Sequence, residues 1–236
     1  MFRDDASVVP DGMVLWLKAD AGLVMNADGL HVETWEDQSG NGHHAQYVTE
    51  APEVAEDALA GYPAVRFPND ASGMVFADDF EVQVPYSMFL VSRVYERTAG
   101  RMVSSRSIDF RFGQTGWRIG AHAPGCGWVF DELDSYSAWR YDARTWYTSV
   151  LVSSDVHDDG IALYRDSVRY GKRRGVCLDP GRLTLGGQAA ISAERGHLEM
   201  VEFIVFPFAV DDATRQLVES YLLTKYALPS LPNLHV

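Results

Sequence analysis

Apolar residues in this chain recur at every second position. Tyr62-Pro63-Ala64-Val65-Arg66-Phe67 alternates after Gly61, and the same beat runs through 86–95, 107–112, 146–152, 161–165, 181–186 and 199–206. A further apolar run, Met13-Val14-Leu15-Trp16-Leu17, lies between Pro10-Asp11-Gly12 and Asp20-Ala21-Gly22. Successive side chains of an extended strand point to opposite faces, so a period of two is the signature of strands. The runs are rich in β-branched and aromatic residues and end at Gly, Pro, Asn or Asp, which suits turns. Many short strands with almost no helix between them predict an all-β sandwich or barrel. The spacing is too irregular for a propeller.

One segment breaks the beat. Asp211-Asp212 can cap a helix, and acids there suit the positive end of its dipole. Ala213, Leu217 and Tyr221 form a row at four-residue spacing with Val218, Leu222 and Tyr226 beside it. This predicts a C-terminal helix over about 211–227 whose apolar stripe packs on the sheets. Leu228-Pro229 stops it, because proline cannot continue the hydrogen-bond ladder. No linker-like stretch divides the chain, so residues 1–236 read as a single domain.

Composition narrows the partners. With 33 acidic against 20 basic residues the net charge is −13, a field that repels phosphate backbones and anionic lipid. Nucleic acid and membrane are therefore not expected as partners, and no apolar run approaches the roughly 18 residues of a membrane helix. Met1-Phe2-Arg3-Asp4-Asp5 opens with neither a basic nor an apolar leader region, so the expectation is a chain that stays inside or leaves without a cleaved signal. Cys126 and Cys177 can pair once, but neither neighbourhood demands it.

Three stretches carry a resemblance. Gly12-Met13-Val14-Leu15-Trp16-Leu17-Lys18-Ala19-Asp20 and Trp35-Glu36-Asp37-Gln38-Ser39-Gly40-Asn41-Gly42-His43-His44-Ala45 look like the opening of laminin-G-like, concanavalin A-like jelly-roll domains of bacterial or phage type. The hairpin from Trp146 to Arg165 resembles that family's, although Ser167 follows Asp166 where glycine is usual. The end, Glu199 to Phe206 followed by Asp211 to Leu222, is similar to its final strand and helix. The resemblance implies a two-sheet antiparallel jelly-roll sandwich across nearly the whole chain. It implies little about chemistry, because the fold hosts lectins, glycanases, lyases and structural modules alike.

Catalytic signatures do not assemble. A glycanase needs two facing carboxylates, yet Glu132-Leu133-Asp134 is followed by Ser135-Tyr136-Ser137 with no second glutamate. Glu199 and Glu202 are three apart, which on a regular strand places them on opposite faces. The lyase pattern fails at Gln114-Thr115-Gly116, and no nucleophile elbow, zinc-protease helix or phosphate loop occurs. The chain is therefore expected not to be an enzyme, with a glycoside hydrolase or polysaccharide lyase as the remote alternative.

Binding motifs are stronger. In Asp37-Gln38-Ser39-Gly40-Asn41-Gly42, Asp37 and Ser39 can bond local amides while Gly40, Asn41 or Gly42 takes positive φ; the second reading is a calcium loop with Asp37 and Asn41 as oxygen ligands. His43 and His44 alternate on a following strand and would not share a metal. Asp155-Val156-His157-Asp158-Asp159-Gly160 imitates a calcium loop but carries a histidine at a ligand position, and reads as a hairpin turn. Trp117, Trp128, Tyr136, Trp139 and Tyr141 crowd one polar, aromatic stretch, as residues that stack on sugars would; partner contact and core packing are the other readings, the last especially for Trp146. Arg169, Lys172, Arg173 and Arg174 form a basic hairpin that is solvated or pairs with an acidic neighbour in an assembly. No cofactor is expected, calcium apart.

Two functions survive. One is a glycan-binding module of a bacterial surface or polysaccharide-degrading system. The favoured one is a surface-exposed adhesion module of a virion, a decoration or tail-associated protein that contacts glycans, capsid or tail subunits, or copies of itself.

Overall fold

A computed structural model describes residues 9–69, 71–94, 101–106, 108–115, 118–129, 144–156, 159–187 and 197–229. Its first strands are β1 (Leu15–Lys18), β2 (Leu23–Met25), β3 (Val32–Trp35), β4 (Ala45–Tyr47), β5 (Glu53–Leu59), β6 (Tyr62–Phe67), β7 (Met74–Phe76), β8 (Tyr86–Val94) and β9 (Val103–Ser105). There follow β10 (Arg111–Thr115), β11 (Arg118–Ala123), β12 (Gly127–Val129), β13 (Tyr147–Ser153), β14 (Ile161–Arg165), β15 (Val168–Arg173), β16 (Leu183–Leu185), β17 (Leu198–Phe206) and the helix α1 (Asp212–Lys225).

Among the described residues the strands form two antiparallel sheets. One runs β15-β14-β13-β8-β17-β6-β5, with β1 also paired to β17; the other runs β12-β11-β10-β9-β16-β7-β4-β3-β2. On the side of β17 away from β8, β6 pairs with Leu198 to Met200 and β1 with Glu202 to Val205. The larger core lies between the sheets and includes Trp35, Phe67, Leu90, Phe112, Leu163 and Phe203. A second core, with Trp16, Phe89, Val150, Ile204, Val218 and Leu222, lies between the eight-stranded sheet and α1. The all-β sandwich with one C-terminal helix is thus as the alternation predicts.

Both faces of β17 are buried, which explains why it reads as a near-continuous apolar run. Its register slips against β8 between Met200 and Glu202, where Val201 is the extra residue. The slip overturns the expectation that Glu199 and Glu202 face opposite ways. Both point outward, Glu199 to Arg66 and Arg93 and Glu202 to Trp16 and α1.

The helix stripe also needs correction. Asp211 caps α1 as expected, its carboxylate accepting from the Thr214 amide at 2.8 Å. Yet Ala213 and Leu217 are exposed, and the buried face is Arg215, Val218, Glu219, Tyr221 and Leu222. Two charged residues have replaced two apolar ones at the interface because they pair there with one another.

The predicted strand at 107–112 begins later, at Arg111. Residues 154–160 connect β13 to β14 as a hairpin, as expected, although His157 and Asp158 lie outside the described residues. The basic cluster lies on and just after β15, at the edge of its sheet, where exposed Arg169 and Arg173 discourage further strand pairing.

Cys126 and Cys177 form a disulfide, resolving a pairing that the sequence leaves open. Cys126 sits between β11 and β12 of the nine-stranded sheet, and Cys177 follows β15 of the other. The bond therefore staples the two layers at one open edge of the sandwich.

Candidate functional site

The Asp37 loop is a hub of local bonds. Oδ1 of Asp37 accepts from the amides of Trp16 and Ser39, both at 2.9 Å. Oδ2 accepts from the Ser39 hydroxyl at 2.7 Å and the His43 amide at 3.1 Å. Asn41 uses its amide group as a donor, to the Met13 carbonyl at 3.1 Å and Ser39 Oγ at 2.9 Å. Gly40 and Gly42, at φ +88° and +80°, supply the left-handed positions. The carboxylate is thus engaged by four protein donors and ties the loop to β1, the bonding of a tight turn. His44 Nδ1 accepts from the Asp37 amide, while the His43 ring packs on Phe80 with centroids 4.5 Å apart, so the two rings have separate partners.

Four further acids are buried in and around the eight-stranded sheet and α1. Glu199 is held between Arg66 at 2.8 Å and Arg93 at 2.5 Å, and the Arg93 guanidinium lies over the Trp146 ring. Trp146 is itself buried in the core under α1, as its packing reading expects. Glu202 accepts from Trp16 Nε1 at 2.7 Å, the Tyr221 hydroxyl at 3.0 Å, the Tyr226 hydroxyl at 2.6 Å and Lys225 Nζ at 3.0 Å. Glu219 pairs with Arg215 and accepts from the Ser167 amide, and burial pushes its carboxyl up to about 7. Asp166, in the hairpin turn with Ser167, accepts from the Thr148 amide, and burial raises it to about 6. Perturbed carboxyls often mark active sites. Here each carboxylate is buried and already engaged by protein donors.

The nine-stranded sheet presents a different arrangement. Its register aligns Val24, Thr34, Gln46, Val75, Thr184, Ser104, Arg111, His122 and Trp128 as one cross-strand row spanning β2 to β12. The flanking residues Trp35, Ala45, Met74, Leu185, Val103, Phe112 and Ala121 point into the inter-sheet core. Toward β12 the row is polar. Arg111 chelates Asp109 at 2.9 Å, buried Arg101 approaches it at 3.4 Å, and the His122 ring contacts the Asp109 carbonyl. These charges hold the Asp109 carboxyl below its ordinary value, against the burial that raises it.

Of the predicted sugar-stacking residues, Trp117, Tyr136, Trp139 and Tyr141 lie outside the described residues. Trp128 is described by its strand position alone, opposite His122. Arg111 and His122 were not singled out in the sequence. The alternation Phe110-Arg111-Phe112 and Ala121-His122-Ala123 carries the signal, since the flanking residues are buried and the central one is not.

No family model matches the chain, and no curated protein matches it. Solved structures do. Domain 4 of AbnA, a GH43 extracellular arabinanase from Geobacillus stearothermophilus, in complex with arabinotriose, is 13% identical with a TM-score of 0.60, over 88% of this chain and 97% of that one. Trypanosoma rangeli sialidase in complex with sialic acid has the same identity and TM-score over 92% of this chain, which spans only 34% of the sialidase. The binding domain of Paraclostridial Mosquitocidal Protein 1 is 12% identical with a TM-score of 0.54, over 89% and 52% of the two chains. At such identities the likeness establishes a shared β-sandwich fold.

Proposed function

We propose that this chain is a non-catalytic, laminin-G-like binding module that contacts glycans, displayed on a virion surface as a decoration or adhesion protein. The observation that carries the reading is the row Arg111-His122-Trp128 at one edge of the nine-stranded sheet. It brings hydrogen-bonding groups level with an aromatic residue only a few positions before Tyr136, Trp139 and Tyr141. Rings supply stacking faces for sugars, and charged or polar side chains take the hydroxyls. The buried acids Glu199, Glu202 and Glu219 are all paired with basic side chains of the chain itself, which favours binding over turnover. Among the described residues no helix is long and apolar enough to cross a membrane. The disulfide suits an oxidising setting such as a virion or cell surface.

A second reading is the carbohydrate-binding module of a bacterial surface or polysaccharide-degrading system. It is favoured by the match to almost the whole of the arabinanase domain, a protein solved with arabinotriose.

A glycan array run with and without chelator tests the proposal. Binding that survives chelation and is lost in Trp128→Ala or Trp139→Ala supports it, while calcium dependence reassigns the Asp37 loop. Silence on the array, with oligomers by light scattering, overturns glycan contact in favour of a purely structural brick. Release of reducing sugar from any bound polysaccharide overturns the non-catalytic assignment.

A further inference from the structure

Away from the β12 edge, residues from 26–31 and 47–53, with Pro68, Asn69 and Ser72, enclose an open cleft of about 400 Å³. That volume is in the range of sites for small ligands. Its lining includes Tyr47, Asn26, Asn69, Glu50, Glu53 and Ser72. Tyr47 is 40% exposed, so part of its ring is open to a ligand. Asn69 donates to Glu50 at 2.9 Å and accepts from the Ala71 amide at 2.7 Å, so amide and carboxylate are fixed relative to one another before anything binds. Ser72 is 1% exposed, and among the described residues its hydroxyl has no hydrogen-bond partner. A buried hydroxyl left unsatisfied costs stability unless something meets it.

We propose that this cleft is a second carbohydrate site, selective for neutral sugars. The proposal rests on the glycan-binding reading and adds a site and a selectivity to it. An exposed ring beside two amides and two carboxylates matches the alternating apolar face and hydroxyl edge of a pyranose or furanose. Carboxylates accept from sugar hydroxyls but repel a sialic or uronic acid; Glu50 and Glu53 both line this cleft, and the His31 ring, also in the lining, is already paired with Asp28 at 2.6 Å. Tyr47 on β4 and Trp128 on β12 are six inter-strand spacings apart, roughly 29 Å at about 4.8 Å each. Tyr47 is registered opposite core-facing Met74, so its position belongs to the other face of the sheet from the Trp128 row, and the two sites bind independently.

The test uses amide chemical-shift mapping on the full chain with arabinotriose, a neutral gluco-oligosaccharide, sialyllactose and an oligogalacturonate. The expected result is perturbation at Tyr47, Asn69 and Ser72 by a neutral sugar only. Tyr47→Ala should weaken that binding about tenfold, the worth of one stacked ring, with an unchanged melting temperature; Trp128→Ala should leave it intact. Sialyllactose or galacturonate shifting the same amides overturns the selectivity. Sugar binding that vanishes with Trp128→Ala while these amides stay still overturns this cleft but leaves the broader glycan reading standing. Silence from all four sugars here, with array binding retained, does the same.

Discussion

Glu202 gathers four donors from β1, α1 and the residue capping that helix, inside a core otherwise filled with rings and aliphatic groups. A carboxylate in that position is stable only because every lone-pair direction finds a donor. Glu202→Ala leaves Lys225, Trp16 and two tyrosine hydroxyls without their shared acceptor. We expect a loss of about 3–5 kcal/mol, read as a lower denaturation midpoint, and Glu202→Gln should lose less because it keeps an acceptor. Equal losses in the two variants would mean that packing, not the acceptor, matters. Nothing in Glu199-Met200-Val201-Glu202 tells a reader that the strand bulges; the bulge is set by pairing with β8, a partner more than a hundred residues away.

At the scale of elements, α1 is fastened by groups that titrate near neutrality. Burial raises Glu219 to about 7 and Asp166 to about 6, against ordinary values of 4.5 and 3.8. Between those limits the folded chain holds protons that the unfolded chain has released. The stabilising contribution is therefore complete below about pH 4 and is lost as pH rises through 6 to 7. Arg215 works against the rise at Glu219, and Asp166 adds to it. The unfolding midpoint should fall between pH 5 and pH 7.5, and Glu219→Gln should flatten that slope; a midpoint that climbs over this interval contradicts the assignment. The net charge of −13 pushes in the same direction, so the comparison between variants isolates the helix interface.

Legibility followed the length and burial of each element. β6, β8, β13 and β14 were readable because five or more residues keep one period, β17 because it is a long run rich in apolar and β-branched residues, and α1 because it carries both cap and stop. β16 shows in the Leu183-Thr184-Leu185 alternation between Gly181 and Gly186, whereas the three-residue strands β2, β4, β7, β9 and β12 are too short to show any period. β5, Glu53–Leu59, is acidic and broken by Asp57 at φ +49°, and it forms a strand because β6 offers it an edge. The candidate sites were less legible still. Trp128 was found by its chemistry, whereas Arg111 becomes its near neighbour only through strand register. The rim cleft draws on three separated segments that no local motif unites.

For the whole molecule, the disulfide is the main constraint that local sequence does not disclose. It closes a separation of 51 residues and joins the edge of one sheet to the edge of the other. In a chain-entropy account that is worth ~4 kcal/mol against the unfolded state. Replacing both cysteines with alanine should lower the melting temperature by roughly 10 °C, and dithiothreitol should reproduce the shift in the native protein but not in the variant. An unchanged melting curve would mean that the strand ladders alone hold that edge closed.

The covalent staple also governs how the protein can be handled. Material folded in a reducing cytoplasm would carry two thiols at the rim next to the β12 strand, where a neighbouring molecule could be cross-linked on exposure to air. Preparations made under oxidising secretion and those reoxidised after lysis should therefore be compared by thiol titration before any affinity is assigned to the aromatic edge.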